Sequence, residues 1–249
     1  MSLSQDANQE DPTVARSRPL HRLFNQVTPR YDTLNRFFTL GLDQPWRRRV
    51  AKLCTKAGTK RTLDLCCGTA DLALLMARGS DDELELTAVD FSETMIATAK
   101  KKAMAQGASN RIQFVLADAS DLPFPDGYFD AIGIAFGFRN LTFANSNAAS
   151  YMAEIRRVLA PEGRFVIVET SQPCNPLLRK AFHLYMRLWV GPLGGLISGR
   201  WGAYRYLAES ASRFPPPDEI ASQLLNVGFS QVEYTSLLGG ITGVHVVWR

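Results

Sequence analysis

Cysteine is scarce and poorly spaced for structural use: Cys54, Cys66, Cys67 and Cys174 are the only four in 249 residues, none form a C-x-x-C, and two are adjacent. That pattern argues against a zinc site and against a disulfide framework, and implies a reduced, cytosolic setting. Long apolar runs are missing too. The best candidate, residues 182–197, is interrupted by His183, Arg187 and Pro192, whereas a membrane span needs about 20 continuous apolar residues. Residues 1–11 are polar and acidic, with no apolar core for a secretory signal; together with the residues up to 19 they read as a disordered lead-in. The charge excess is small, 28 basic against 24 acidic side chains, and no basic stripe interleaves with stacking aromatics, so nothing points to nucleic acid.

What is present suffices for one large core. With 46% apolar residues, a chain of this length buries roughly 70–75% of the surface it exposes unfolded and needs no covalent staple. From Arg61 onward, short apolar runs alternate with helical patterns, which is the mark of a parallel sheet wrapped by crossover helices. Strands are expected at Arg61–Leu65, Leu84–Asp90, Ile112–Ala117, Phe129–Ala135 and Arg164–Glu169. Helices are expected at Asp71–Arg78, at Glu93–Gln106 behind a Ser92 cap, and at Ala148–Leu159 before the Pro161-Glu162-Gly163 turn. Asp218 reads as the cap of a helix to Val227, and Gln231–Leu237 and Thr242–Trp248 as a hairpin turning at Gly239-Gly240. The expected architecture is therefore α/β: a mostly parallel, seven-stranded, Rossmann-like sheet in a single domain over 20–249. Residues 20–57 form an N-terminal helical lid in this reading, and 175–217 a helical insertion before the hairpin.

The first βα junction runs Leu63-Asp64-Leu65-Cys66-Cys67-Gly68-Thr69-Ala70-Asp71. A dinucleotide site wants G-x-G-x-x-G there, and Cys66 and Ala70 occupy the first and third glycine places, which removes most of the case for NAD. Asp64 followed by Gly68-Thr69 resembles instead the first motif of S-adenosylmethionine-dependent methyltransferases, in which the acid orients the methionine ammonium and the glycine admits the ligand to the backbone. Asp90 ends the second strand 22 residues after Gly68, close to the roughly 20-residue interval at which a carboxylate takes ribose hydroxyls. Asp118 follows the third strand, placed to accept from an adenine amine, with the Ala119 N–H beside it. A parallel sheet closed by a C-terminal hairpin also resembles the class I methyltransferases.

Four separated stretches carry a narrower likeness: Tyr31-Asp32-Thr33-Leu34-Asn35 leading to Trp46; Ala135-Phe136-Gly137-Phe138-Arg139-Asn140; Arg157 through Glu169; and Tyr204-Arg205-Tyr206-Leu207-Ala208-Glu209-Ser210. They resemble the demethylmenaquinone/polyprenylbenzoquinol C-methyltransferases of quinone synthesis. The sequence departs from that pattern at Ala70, where a glycine is usual, and at Ala135, where a serine can touch the cofactor. The resemblance implies S-adenosyl-L-methionine as donor, a prenylated quinol as acceptor and C-methylation as the reaction, with demethylmenaquinol leading. The alternatives are a 2-methoxy-6-polyprenyl-1,4-benzoquinol of ubiquinone synthesis, or a non-catalytic donor-binding assembly protein.

A neutral quinol carbon is a poor nucleophile until its hydroxyl loses a proton, so the site needs a base or water relay and a positive group. By the resemblance, Arg139 and Asn140 position that water, the arginine staying protonated. Tyr31, Asp32 and Asn35 stand at near-helical spacing as a lid, and Tyr204, Arg205 and Tyr206 as walls of the acceptor pocket. Phe37, Phe38, Phe182, Leu184, Met186, Leu188 and Trp189 are candidates for the exit of a prenyl tail. The run Arg47-Arg48-Arg49, close behind Phe37, Phe38 and Trp46, reads either as a solvated helix face or as a peripheral contact with the inner face of a membrane.

Overall fold

The computed structural model describes residues 31–249; the lead-in at 1–19 and the first part of the 20–57 segment lie outside the described residues. Strands β1 (Arg61–Leu65), β2 (Glu85–Asp90), β3 (Gln113–Leu116) and β4 (Phe129–Ala135) are parallel neighbours, and β5 (Leu159–Thr170) adds to β4 in the same sense. The last two strands, β6 (Gln231–Leu237) and β7 (Thr242–Trp248), form the expected hairpin. The later strand inserts between β5 and β6, so the order is β3-β2-β1-β4-β5-β7-β6.

Alternation within the strands assigns each face. Leu63, Leu65, Ile132, Ile134, Phe165 and Ile167 point to one side and pack with Met152 and Ile155 of helix α6 (Ala148–Val158). Ala131, Val166 and Val168 point to the other, against Val50 and Cys54 of α2 (Asp43–Cys54) and Leu72 and Met76 of α3 (Asp71–Arg78). A buried parallel sheet of this kind has apolar side chains on both surfaces, which is why its strands read as nearly continuous apolar runs. Gly133 allows a close approach on that side: a Cβ there would stand 2.7 Å from Met76 Cε and 3.0 Å from Cys54 Sγ.

A third, smaller core joins α1 (Tyr31–Phe38) to the segment between β5 and β6. Leu34 packs there with Phe182, Met186, Val190 and Tyr204. These residues belong to α7 (Pro176–Tyr185), a π-helical turn at Met186–Val190 and α9 (Trp201–Ser212); α8 (Gly191–Ser198) links the last two. Asn175 caps α7 by accepting from the N–H groups of Leu177 and Leu178 at 2.9 and 3.1 Å, with Pro176 at the first helical position, where no N–H is needed. No helix among the described residues is long and apolar enough to cross a membrane.

Three features differ from expectation for local reasons. Strand β5 begins at Leu159, which pairs with Phe129, and the Pro161–Gly163 turn survives as an irregularity inside it before Arg164 re-pairs with Ala131. The following helix, α10 (Pro217–Asn226), starts two residues earlier than an Asp218 cap would allow, because Pro217 supplies a preset φ at its first position. Arg47 does not belong to a solvated face or a membrane contact: it is buried, 2.6 Å from Asp43, with its guanidinium 5.0 Å from the Phe136 ring centroid.

Candidate active site

The carboxyl ends of β1 to β5 converge on two neighbouring cavities, the position where ligands sit in open α/β sheets. After β1 the backbone turns through left-handed conformations at Cys66, Gly68 and Ala70 (φ +54°, +54° and +66°). Only glycine adopts these without a Cβ penalty, so Cys66 and Ala70 hold strained positions. Several of the loop's N–H groups are already engaged. Cys67 N–H donates to the Val89 carbonyl at 2.9 Å and Gly68 N–H to Asp90 Oδ2 at 2.8 Å, while Ser92 N–H donates to Asp90 Oδ1 at 2.9 Å. A diphosphate would find a carboxylate where it needs free donors, which argues against a dinucleotide and for a cationic ligand.

Beneath this loop Asp64 is 1% exposed and accepts the Ala73 N–H at 2.8 Å. Burial is the main reason its carboxyl is pushed up to about 8. Asp118 accepts from the N–H and hydroxyl of Ser120 at 2.8 and 2.7 Å. Burial raises the nearby Tyr151 phenol to about 12, the Asp118 charge adding to the effect.

The first cavity, about 370 Å³, is lined by Gly68, Asp90, Asp118, Ala119, Ala135 and Asn140. Its size falls in the range of roughly 300–1,000 Å³ typical of small-molecule sites. A Cβ built on Gly68 meets nothing within 4 Å, so the glycine opens onto free space as a ligand approaching the backbone requires. These residues fit S-adenosylmethionine: carboxylates for hydroxyls and amines, no excess of cations, and an open backbone edge.

The second cavity, about 470 Å³, is mostly apolar, with Phe38, Leu40, Trp46, Phe182, Met186 and Tyr204 among its walls and Asn35, Arg139 and Asn140 supplying polar groups. Phe136, Asn140 and Tyr206 line both cavities. Of the tail-exit candidates, Phe38, Phe182 and Met186 line this space, whereas Phe37, Leu184, Leu188 and Trp189 stand exposed outside it.

Arg139 heads α5 (Phe138–Thr142) and is 4% exposed. Its N–H donates to Glu169 Oε2 at 3.0 Å, its Nε lies 3.5 Å from Glu169 Oε1, and its Nη1 donates to Ser210 Oγ. That hydroxyl in turn donates to the Tyr206 carbonyl at 2.6 Å. Burial raises the Tyr206 phenol, with the Arg139 charge opposing, so Tyr206 is a neutral hydrogen-bond donor at neutral pH rather than a base.

Other expected site residues lie elsewhere. Asp32 and Thr69 bond to each other at 2.7 Å, and Lys102 holds Asp32 at 2.7 Å as well as Asp71. They tie α1 to the first loop and line neither cavity. Arg205 is not a pocket wall: Ala203, Tyr204, Tyr206 and Leu207 face the second cavity, and at about 100° per residue this puts Arg205 on the opposite side of α9, exposed in a separate groove. The Tyr31 side chain lies outside the described residues.

Three residues of this network carried little sequence signal. Glu169 ends the run Phe165-Val166-Ile167-Val168, and a carboxylate closing a wholly buried strand needs a partner, which is a legible hint. Ser210 closes the Tyr204–Ser210 stretch that carries the resemblance, without a role read for it there, and Lys102 sits in an ordinary helical pattern and offered none.

The sheet order, with its inserted antiparallel strand and ligand cavity at the strand ends, defines the class I S-adenosylmethionine-dependent methyltransferase fold. A SAM-dependent methyltransferase from Aquifex aeolicus shares this fold, with a TM-score of 0.53 and 16% identity, covering 96% of this chain and 99% of that one. The sequence profile of the ubiE/COQ5 methyltransferase family matches residues 12–249. The demethylmenaquinone methyltransferase of Thermus thermophilus is 44% identical over 224 residues, 90% of this chain and 98% of that protein. The ubiquinone/menaquinone biosynthesis C-methyltransferase UbiE of Geotalea daltonii is 36% identical over 226 residues, covering 91% and 94%. The chain belongs to the ubiE/COQ5 methyltransferase family, as its four motifs imply.

Proposed function

We propose that this chain transfers a methyl group from S-adenosylmethionine to a ring carbon of a reduced prenylated quinone, with demethylmenaquinol as the acceptor. The observation that carries the reading is the shared wall at Phe136, Asn140 and Tyr206 between an acidic cavity and an apolar one. Such a wall is where a polar cationic donor and a greasy aromatic acceptor meet. The name of the Thermus thermophilus relative supports demethylmenaquinol over a benzoquinol.

When bound, S-adenosylmethionine supplies a sulfonium methyl open to in-line displacement. Asp90 would take the ribose hydroxyls and Asp118 and the Ala119 N–H the adenine edge, while Asp64, buried and lining neither cavity, would orient the methionine ammonium through water. On the acceptor side Asn140 orients the water that removes the quinol proton. The guanidinium of Arg139, fixed by Glu169 and Ser210, stabilises the phenolate that forms, and the neutral Tyr206 phenol donates to an acceptor oxygen. Apolar walls exclude water and hold the ring in line. Labelled donor incubated with reduced or oxidised demethylmenaquinone is expected to label only the reduced form, on carbon. Label in the oxidised form, or removable by ether or amine cleavage, contradicts the scheme, and faster turnover of a benzoquinol reassigns the acceptor.

Asp64 makes this binding pH-dependent. With its carboxyl near 8, it is mostly protonated at neutral pH, and a nearby ammonium favours the charged form. Donor binding is therefore expected to release about one proton at pH 7 and to tighten between pH 6 and 8. Calorimetry in buffers of different ionisation enthalpy reads this directly, and Asp64→Asn removes the release; no buffer dependence in the parent chain separates Asp64 from the ammonium. The same shift works against folding: the native state holds more protons than the unfolded one between about pH 4 and 8, so Asp64's contribution to stability is full below about 4 and is lost as pH rises through 8.

A further inference from the structure

Positive charge in this chain is localised. Residues 171–216 hold six basic side chains and one acidic one, Glu209, leaving 22 basic and 23 acidic side chains elsewhere. The net charge of +4 therefore arises entirely in the helical segment α7–α9 and its flanks. The same stretch holds eight of the fourteen large apolar side chains exposed among the described residues, including Leu184, Leu188, Trp189, Leu196, Ile197 and Trp201. Exposed apolar groups concentrated in this way mark an interaction surface.

Basic groups and apolar groups share one geometry here. A groove of about 500 Å³ runs between the π-helical turn and α9, with Arg187, Arg205 and Arg213 along it and Trp201 at its edge. Glu209, its one carboxylate, is committed to Arg213 at 2.8 Å. Among the described residues neither Arg187 nor Arg205 has an ion-pair partner. The patch is also continuous with the apolar cavity. Tyr185 of α7 and Leu40, both exposed, line that cavity, so its mouth opens beside the patch. A second copy of the chain is a poor occupant, because a two-fold contact would bring two strongly cationic faces together.

We propose that this face docks on an anionic phospholipid bilayer. Leu184, Leu188, Trp189 and Trp201 enter the boundary between headgroups and acyl chains, Arg187 and Arg205 take headgroup phosphates, and the mouth of the apolar cavity comes to lie at the lipid surface. The docking does not depend on which quinol is methylated, and its test does not read activity.

Flotation of the full chain with phosphatidylcholine vesicles, with and without phosphatidylglycerol, tests it. Binding is expected only where phosphatidylglycerol is present, weakened by salt, with a blue shift of tryptophan emission. Arg187→Glu with Arg205→Glu is expected to weaken vesicle binding by about tenfold or more. Leu188→Ser with Trp189→Ser is expected to weaken vesicle binding and to reduce the blue shift to the part that Trp201 contributes. The exposed pair Lys100→Glu with Lys101→Glu on α4 (Glu93–Ala105) removes as much positive charge and is expected to leave binding unchanged. Unaltered donor affinity and melting temperature confirm that each variant is folded. Equal binding to neutral vesicles, arginine variants that bind like the parent, or binding to anionic surfaces without a blue shift would overturn the proposal. So would a dimer in sedimentation that the same substitutions dissociate.

Discussion

Arg139→Ala is expected to lower turnover by about 10²–10³-fold, the scale for removing one positioned stabiliser of a developing oxyanion, while leaving S-adenosylmethionine affinity nearly intact. The structure adds a second effect that a surface arginine would not have. Arg139 and Glu169 are 4% and 2% exposed, so truncating the arginine leaves a buried carboxylate without its counter-charge, held only by the N–H groups of residues 139 and 170 and the Thr170 hydroxyl, at a cost of up to about 3–5 kcal/mol. Rate and stability can be separated. Arg139→Ala combined with Glu169→Ala removes both charges and recovers much of the melting temperature, because no uncompensated charge remains, yet turnover stays low. Recovery of rate along with stability in the double variant would show that Arg139 serves the fold and that the catalytic burden lies elsewhere.

Asp90→Ala is expected to weaken S-adenosylmethionine binding by about 1–3 kcal/mol, or about 5- to 150-fold, as hydrogen bonds from ribose hydroxyls to a charged group disappear. Both carboxylate oxygens also hold the loop, one through Gly68 N–H and the other through Ser92 N–H. The variant therefore loses part of the cavity's shape as well as its ligand contact. Asp90→Asn keeps one acceptor oxygen for the loop and the same size, and is expected to fall between parent and alanine in calorimetric affinity. Unchanged affinity in both variants refutes the ribose role.

The sheet was legible because its signals are local. Strands such as Phe129–Ala135 and Gln231–Leu237 appear at the expected bounds, since apolar composition and turn residues act within a few positions. Ser92 caps α4 as its sequence context implies, accepting from Met95 N–H at 3.3 Å. The carboxylates Asp90 and Asp118 line the first cavity because each stands where its strand ends at the cavity. Arg47 is buried and Arg205 turned away from the acceptor cavity because consecutive residues on a helix point in different directions, and only the element packed against the helix decides which of them is covered. Asp32, expected by its spacing in a lid, is held against the first loop by Thr69 and Lys102, partners far from it in the chain.

The sequence by itself determined that a parallel sheet would present acidic side chains at successive strand tips and that the hairpin would close it, because periodicity and turn chemistry are written in consecutive residues. Only the tertiary structure decided that Glu169 and Ser210, 30 and 71 residues away in the chain, would clamp Arg139. It also decided that one wall of Phe136, Asn140 and Tyr206 would divide two cavities, and that the excess positive charge would lie beside an exposed apolar face. Those arrangements depend on which distant elements pack together, and low local dielectric and close packing give them their energy only once the chain has folded.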